Sequence, residues 1–173
     1  MNDLRTLKEL FGHMQWADAL VLKAVTSHAE AAGDAKVREL LFHLHMVQRL
    51  FLTVWQKGSL TAPPNEAPDI VSVGESAREY YADLGGFLSE LDETALGGAV
   101  VLPWAGRFAQ HLGREPFAPT LAETCMQVAM HSTYHRGQIN ARLRAVGGEP
   151  PLTDFIAWVW FGKPDAEWPD LTE

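Results

Sequence analysis

The stretch HSTYHRGQ, from His131 to Gln138, sets two histidines four residues apart, with Arg136 and Gly137 directly behind the second. On a helix that spacing puts the two Cβ atoms about 5 to 6 Å apart, close enough for both imidazoles to converge on one metal ion. The same pair is also what a partly exposed helix face carries with no ion at all, so a third donor decides between the readings. At about 100° per residue, the apolar face of this helix is centred on Leu121, Cys125, Val128, Ile139, Leu143 and Val146. His135 falls within about 50° of that centre and His131 about 80° to 90° from it, whereas Gln127, Thr133, Asn140 and Arg144 mark the opposite, wet side. Thr124, Gln138 and Arg142 stack along the strip that holds the histidines. The segment LLFHLHMVQRLF offers the third donor: the wheel puts His43 about 80° from its apolar centre and His45 about 120° away, beside Arg49 and Gln56. His43 is therefore the inward candidate, and His45 reads as a solvated surface histidine.

Three neutral imidazoles suit zinc, nickel, cobalt or iron, with zinc or nickel the expected ion, and leave at least one coordination position open. A water there has its pKa drawn towards ~7, and a substrate oxygen or sulfur is polarised or activated as the anion. The neutral shell leaves the ion its full charge and favours hydroxide or thiolate as the fourth ligand. The sequence shows no Gly-rich phosphate loop, no G-x-S-x-G and no Cys/His dyad on a suitable strand, so the metal is the engine of any catalysis. Other residues read more plainly. Arg142, one turn past Gln138, is placed to hold a substrate carboxylate or, more simply, a structural salt bridge. His13 flanks the apolar stripe of the first helix, either bordering a cavity or packed and hydrogen-bonded, His28 ends that helix where a cation meets its dipole, and Cys125 is an inert core thiol. Gly137 costs a helix about 1 kcal/mol relative to alanine, which implies either close packing of another element against it or a glycine equally tolerated without purpose.

The elements that must position these groups are helical. Leu7, Leu10, Phe11, Met14, Val21 and Val25 share one side of a helix running roughly over residues 3–29. After the AAGD break, Val37, Leu40, Leu44, Val47, Phe51 and Trp55 form a second stripe, ended by Gly58 and the Pro63-Pro64 pair. Residues 59–70 form a proline-rich connection long enough to cross the end of a bundle. Ser72 with Glu75 reads as a capping box opening a third helix through Leu91, stopped by Gly97 and Gly98; Thr120 with Glu123 opens the fourth, which ends at Gly147-Gly148. Between them, residues 99–117 carry the β-leaning pieces AVVLPW and GRFAQHLG and predict a small hairpin or an irregular excursion. A short C-terminal helix, DFIAWVWFG, follows. The whole describes an all-α, single-domain chain over 1–173: a four-helix bundle with one long crossover.

Composition sets the outer bounds. At 173 residues and 47% apolar, the chain is long enough for one real core, and its net charge of −8 excludes a non-specific grip on nucleic acid phosphates or anionic lipid. The first sixteen residues lack an apolar targeting core, no run approaches a membrane span, and one cysteine allows no internal disulfide, so a cytoplasmic protein is expected. Trp158, Trp160 and Phe161 cluster near the C-terminus; either they close the bundle or they form the apolar contact of a homodimer.

The string MHSTYHRGQINARLRAVGGEPPLTDFIAWV resembles the C-terminal signature of the DinB/YfiT-like superfamily, an H-x-x-x-H-R-G-Q helix followed by a Gly-Pro turn and an Asp-to-Trp end. LLFHLHMVQRLF resembles the second-helix motif of that family, and GHMQWADALV its first-helix Y-N-x-W-A-N pattern, so the likeness frames nearly the whole chain. The resemblance implies a four-helix bundle with a long second connection, homodimers, and one divalent metal held by His43, His131 and His135. It also implies metal-dependent hydrolysis of a small molecule or, as in some relatives, transfer of a low-molecular-weight thiol cosubstrate. Two positions depart from the pattern: Gln48 stands where an acid is common and His13 where tyrosine is common, so a supporting or proton-transfer role there does not carry over directly. The competing reading is a non-catalytic module in which a closed metal site only pins the second helix to the fourth.

Overall fold

The computed structural model describes residues 4–58, 60, 62 and 67–171. Asp3 and the Pro63-Pro64 pair of the expected boundaries lie outside the described residues. The described chain is all-helical: α1 (Leu4–Thr26), α2 (Ala29–Ala32), α3 (Ala35–Trp55), α4 (Ile70–Glu90), α5 (Gly106–Leu112), α6 (Leu121–Ala145) and α7 (Phe155–Trp160), with a 3₁₀ turn at Glu93–Gly97. No helix among the described residues is long and apolar enough to cross a membrane.

The caps explain most boundaries. Thr120 and Glu123 form the expected reciprocal capping box at the start of α6. Asp34 caps α3, its carboxylate accepting from the Val37 N–H at 2.9 Å. The expected box at Ser72 and Glu75 is a correction: α4 begins earlier, capped by Asp69, which accepts from both the N–H and the hydroxyl of Ser72. An aspartate in extended backbone three residues upstream takes the free N–H groups first. The first helix also stops short of residue 29. His28 does not end it as a cation on its dipole but caps the one-turn α2, its ring Nδ1 accepting from the Ala31 N–H at 3.3 Å.

Residues 99–117 do not form a hairpin. Ala99 makes a single antiparallel bridge to Thr120, at the entry to α6, and GRFAQHL is the helix α5, ended by Gly113 at φ +64. The β-leaning AVV run finds no second strand to pair with among the described residues; the Val100 N–H donates instead to the Pro119 carbonyl at 2.7 Å, and the Leu121 N–H to the Gly98 carbonyl at 2.8 Å.

Packing runs in a ring: α6 lies against α3 and α1, and α4 against α3 and α1. Inside are two apolar clusters. One holds Phe11, Met14, Phe51, Trp55, Leu84 and Cys125; the other holds Leu22, Leu41, Leu44, Val73, Ile139 and Leu143. Between these clusters α1, α3 and α6 also carry buried polar residues: Asp18, His45, Gln48, Ser132 and Arg136. Trp158 of α7 packs on Trp16 and Ala17 as a third cluster. The tail then returns over α4, where Leu171 approaches Gly74 so closely that a Cβ there would lie 2.3 Å from its Cδ1.

Of the two readings of Gly137, close packing is the one that fails. A Cβ added there meets nothing within 4 Å, so no element packs against it and the glycine simply weakens an exposed helix turn. Gly137→Ala should stabilise the protein by about 0.5 to 1 kcal/mol, and a calorimetric melting temperature that falls would restore the packing idea.

Candidate metal centre

Helices α3 and α6 bring His43, His131 and His135 together, with one nitrogen of each lying within 4.8 Å of the others. His131 and His135 face each other through their Nε2 atoms at 3.1 Å. Nitrogens bonded to one tetrahedral ion at 2.0 to 2.1 Å lie about 3.3 Å apart, so this pair is already spaced as two ligands of one ion. The His43 ring stands 4.6 Å from the His135 ring and 5.4 Å from that of His131, centroid to centroid.

The surroundings favour donors over cations. Burial, with the neighbouring imidazoles adding to it, holds His131 down at about 4, and burial followed by His135 also lowers His43. Both are neutral near pH 7, the form that binds metal. The Nδ1 of His135 is shielded from solvent and has no protein partner, and His43 makes no hydrogen bond to a described residue. Three imidazoles are thus partly desolvated with one hydrogen-bond-length contact among their nitrogens, a cost that an ion shared by all three would offset. The residues present fit a divalent metal.

The cluster lies between two cavities. His131 borders one of about 660 Å³, walled by Phe51, Trp104 and Phe108 and carrying Arg107 and Gln127. His43 and His135 border another of about 800 Å³, whose walls include Lys36, Glu39, Gln138 and Arg142. The residues expected to support the site divide accordingly. Gln138 lies beside the ligands but donates to the Tyr134 hydroxyl at 3.1 Å, and Arg142 is committed to Asp34 through a two-pronged ion pair reaching 2.6 Å. Arg142 therefore braces α6 against the cap of α3. His13 is packed away from the cluster, its Nε2 at 2.9 Å from the Thr153 carbonyl. Cys125 is fully buried, its thiol pushed up to about 12, as an inert core thiol should be.

The Arg142 bond holds the Asp34 carboxyl at about 2, against an ordinary 3.8. A carboxylate with a depressed folded-state pKa contributes stability above its unfolded value and loses it as pH falls through the folded one. Asp34→Asn keeps the helix cap and removes the charge pair. The urea midpoint gap between wild type and this variant should be widest above about pH 5 and close as the pH falls below the ordinary carboxylate value. A gap that does not change with pH would contradict the ion-pair account.

Gln48 and His45 sit elsewhere than expected. His45 is not a surface residue but 4% exposed, because α3 is covered by α4 as well as α6 and the face beside Arg49 is interior at that level. Its Nδ1 lies 2.9 Å from Gln48 Oε1, while Gln48 Nε2 donates to Asp18 at 2.7 Å and to the Ser132 hydroxyl at 2.9 Å. The amide nitrogen is thereby fixed as donor, so His45 donates from Nδ1. Arg136 of the HRGQ stretch pairs with Asp18 at 2.7 Å, both nearly sealed from water, and Tyr81, kept protonated by burial, donates to the same carboxylate at 2.5 Å. None of these groups makes a hydrogen bond to the three histidines, but Arg136 follows His135 directly and Ser132 follows His131. Asp18 went unread in the sequence; a lone acid amid the apolar run of GHMQWADALV is the signal that could have found it.

No family model, no curated protein and no solved structure matches this chain.

Proposed function

We propose that this protein is a DinB-like metalloenzyme that acts on small molecules, with His43, His131 and His135 holding one divalent ion, zinc or nickel. The observation that carries the reading is that the three imidazoles converge within 4.8 Å and open onto two cavities instead of being enclosed. A structural site is closed by its protein ligands, whereas a site that faces cavities can admit a substrate, which favours catalysis over the non-catalytic module. The ring of helix contacts supports a four-helix bundle.

A bound divalent ion would supply Lewis acidity to an oxygen or sulfur brought to its open side. The chain's own groups set the conditions. Burial keeps His43 and His131 neutral, so their lone pairs are available at neutral pH. The Asp18–Arg136 pair and the Arg142–Asp34 pair fix the rotation and height of α6 against α1 and α3, and with them the aim of His131 and His135. The cavity beside His43 and His135, with Lys36 and Glu39 among its otherwise largely apolar walls, gives room for a hydrated reactant, water or a low-molecular-weight thiol, and the one beside His131 gives room for the second reactant. Hydrolysis and thiol transfer are thus one mechanistic class at this site. Ester, amide and thiol-plus-electrophile substrates, assayed with metal-loaded, metal-stripped and His135→Ala protein, test it: turnover should require both metal and His135. Turnover undiminished without metal would end the reading.

We also read the protein as a cytoplasmic homodimer. Of the terminal aromatics, Trp158 is buried at 5% exposure and closes the fold, while Trp160 at 76% and Phe161 at 63% remain outward. Light scattering should give twice the chain mass, and Trp160→Glu should shift it to the monomer; a wild-type monomer at high concentration would remove the dimer.

A further inference from the structure

We propose that the cavity bordered by His131 takes the apolar body of a small monocarboxylate, with Arg107 holding the carboxylate. This rests on the metalloenzyme reading for the fate of the ligand, but not for its binding. The cavity, at about 660 Å³, is of the size that encloses a small organic molecule. Its walls are aromatic and aliphatic: Phe51 and Trp104 meet edge to face with centroids 5.2 Å apart, and Leu50, Leu60 and Phe108 continue the surface. Such a wall selects an apolar body.

Charge selects the rest. Arg107 is the only arginine or lysine among the described lining residues, no aspartate or glutamate is among them, and it makes no ion pair with a described residue. Arg49, Arg136 and Arg142, by contrast, are each committed to an aspartate. An uncommitted guanidinium at the rim of an apolar cleft is a fork for one planar anion, worth more there than in open water. One cation, on a chain of net charge −8, matches a single negative charge; a phosphate monoester brings nearly two. A carboxylate on Arg107 leaves the opposite end of the ligand towards His131, the cavity wall that belongs to the metal cluster.

The test is calorimetric titration of the full chain, zinc-loaded and metal-stripped, with 4-phenylbutyrate, with the neutral isostere 4-phenylbutan-1-ol, and with 4-phenylbutylammonium. The carboxylate should bind about tenfold more tightly than the alcohol, with the ammonium weakest, and Arg107→Gln should abolish the preference with zinc content unchanged. The wild-type comparison needs no variant, so it stands even if Arg107→Gln folds poorly. Equal affinity for acid and alcohol would overturn the inference, and so would a preference that survives Arg107→Gln but vanishes on metal removal, since the anion site would then be the metal. A preference kept by metal-stripped wild type and lost in Arg107→Gln supports the inference whether or not the chain turns out to need zinc, which separates its failure from that of the metal reading.

Discussion

Asp18→Ala should destabilise the fold by about 3 to 5 kcal/mol, because it leaves the buried Arg136 guanidinium without its counter-charge. Asp18 and Arg136 side chains are 1% and 3% exposed, so water cannot take over the lost role. The same carboxylate accepts from Gln48 and Tyr81, whose polar atoms would also lose a partner. Urea unfolding of metal-stripped protein measures the loss free of any contribution from bound metal. The Asp18→Ala/Arg136→Ala double variant should lose less than the sum of the singles, the mark of a coupled pair. A single-variant loss under about 1 kcal/mol would mean that Arg136 is hydrated after all, and that the polar layer is not what orients the α6 histidines. The layer also accounts for Gln48. An acid at that position would set a second carboxylate against Asp18, whereas the amide donates to it at 2.7 Å.

Helical periodicity made α1, α3, α4 and α6 legible to within a few residues, because each buries a stripe of large apolar side chains. The His43, His131 and His135 cluster was legible for a related reason: all three flank such stripes, on two helices that pack together. His45 was misplaced because a wheel assumes one buried face, and α3 has two neighbours on different sides. The Asp18–Arg136 pair was not legible, since what lets the two be buried is each other, across 118 residues of chain. Residues 99–117 misled because β-branched residues lean to strands only where a partner strand exists, and here the neighbour is the start of a helix. Gly137 could not be decided from sequence, because a helix-weakening residue looks the same whether or not an element packs on it, and here none does.

The second large effect concerns the metal. An ion that binds the folded chain alone stabilises it by RT ln(1 + [L]/Kd), about 4 kcal/mol at a thousandfold excess over Kd, or roughly 10 °C in melting temperature for a chain of this length. Zinc or nickel added to stripped protein should produce that rise, and magnesium should not, since three imidazoles and no carboxylate make a poor site for a hard cation. In His43→Ala the rise should nearly vanish, because losing one of three ligands raises Kd and removes most of the excess of ion over it. A rise of the same size in wild type and His43→Ala would put the ion elsewhere.

The most direct measurement is elemental metal analysis per chain on purified wild type and on His43→Ala, His131→Ala and His135→Ala, each reloaded with excess zinc and passed through a desalting column. One ion per chain in the wild type and a loss of most of it in every single variant is the expected result; no retained ion in the reloaded wild type, or full occupancy in any of the three variants, would contradict the three-histidine centre.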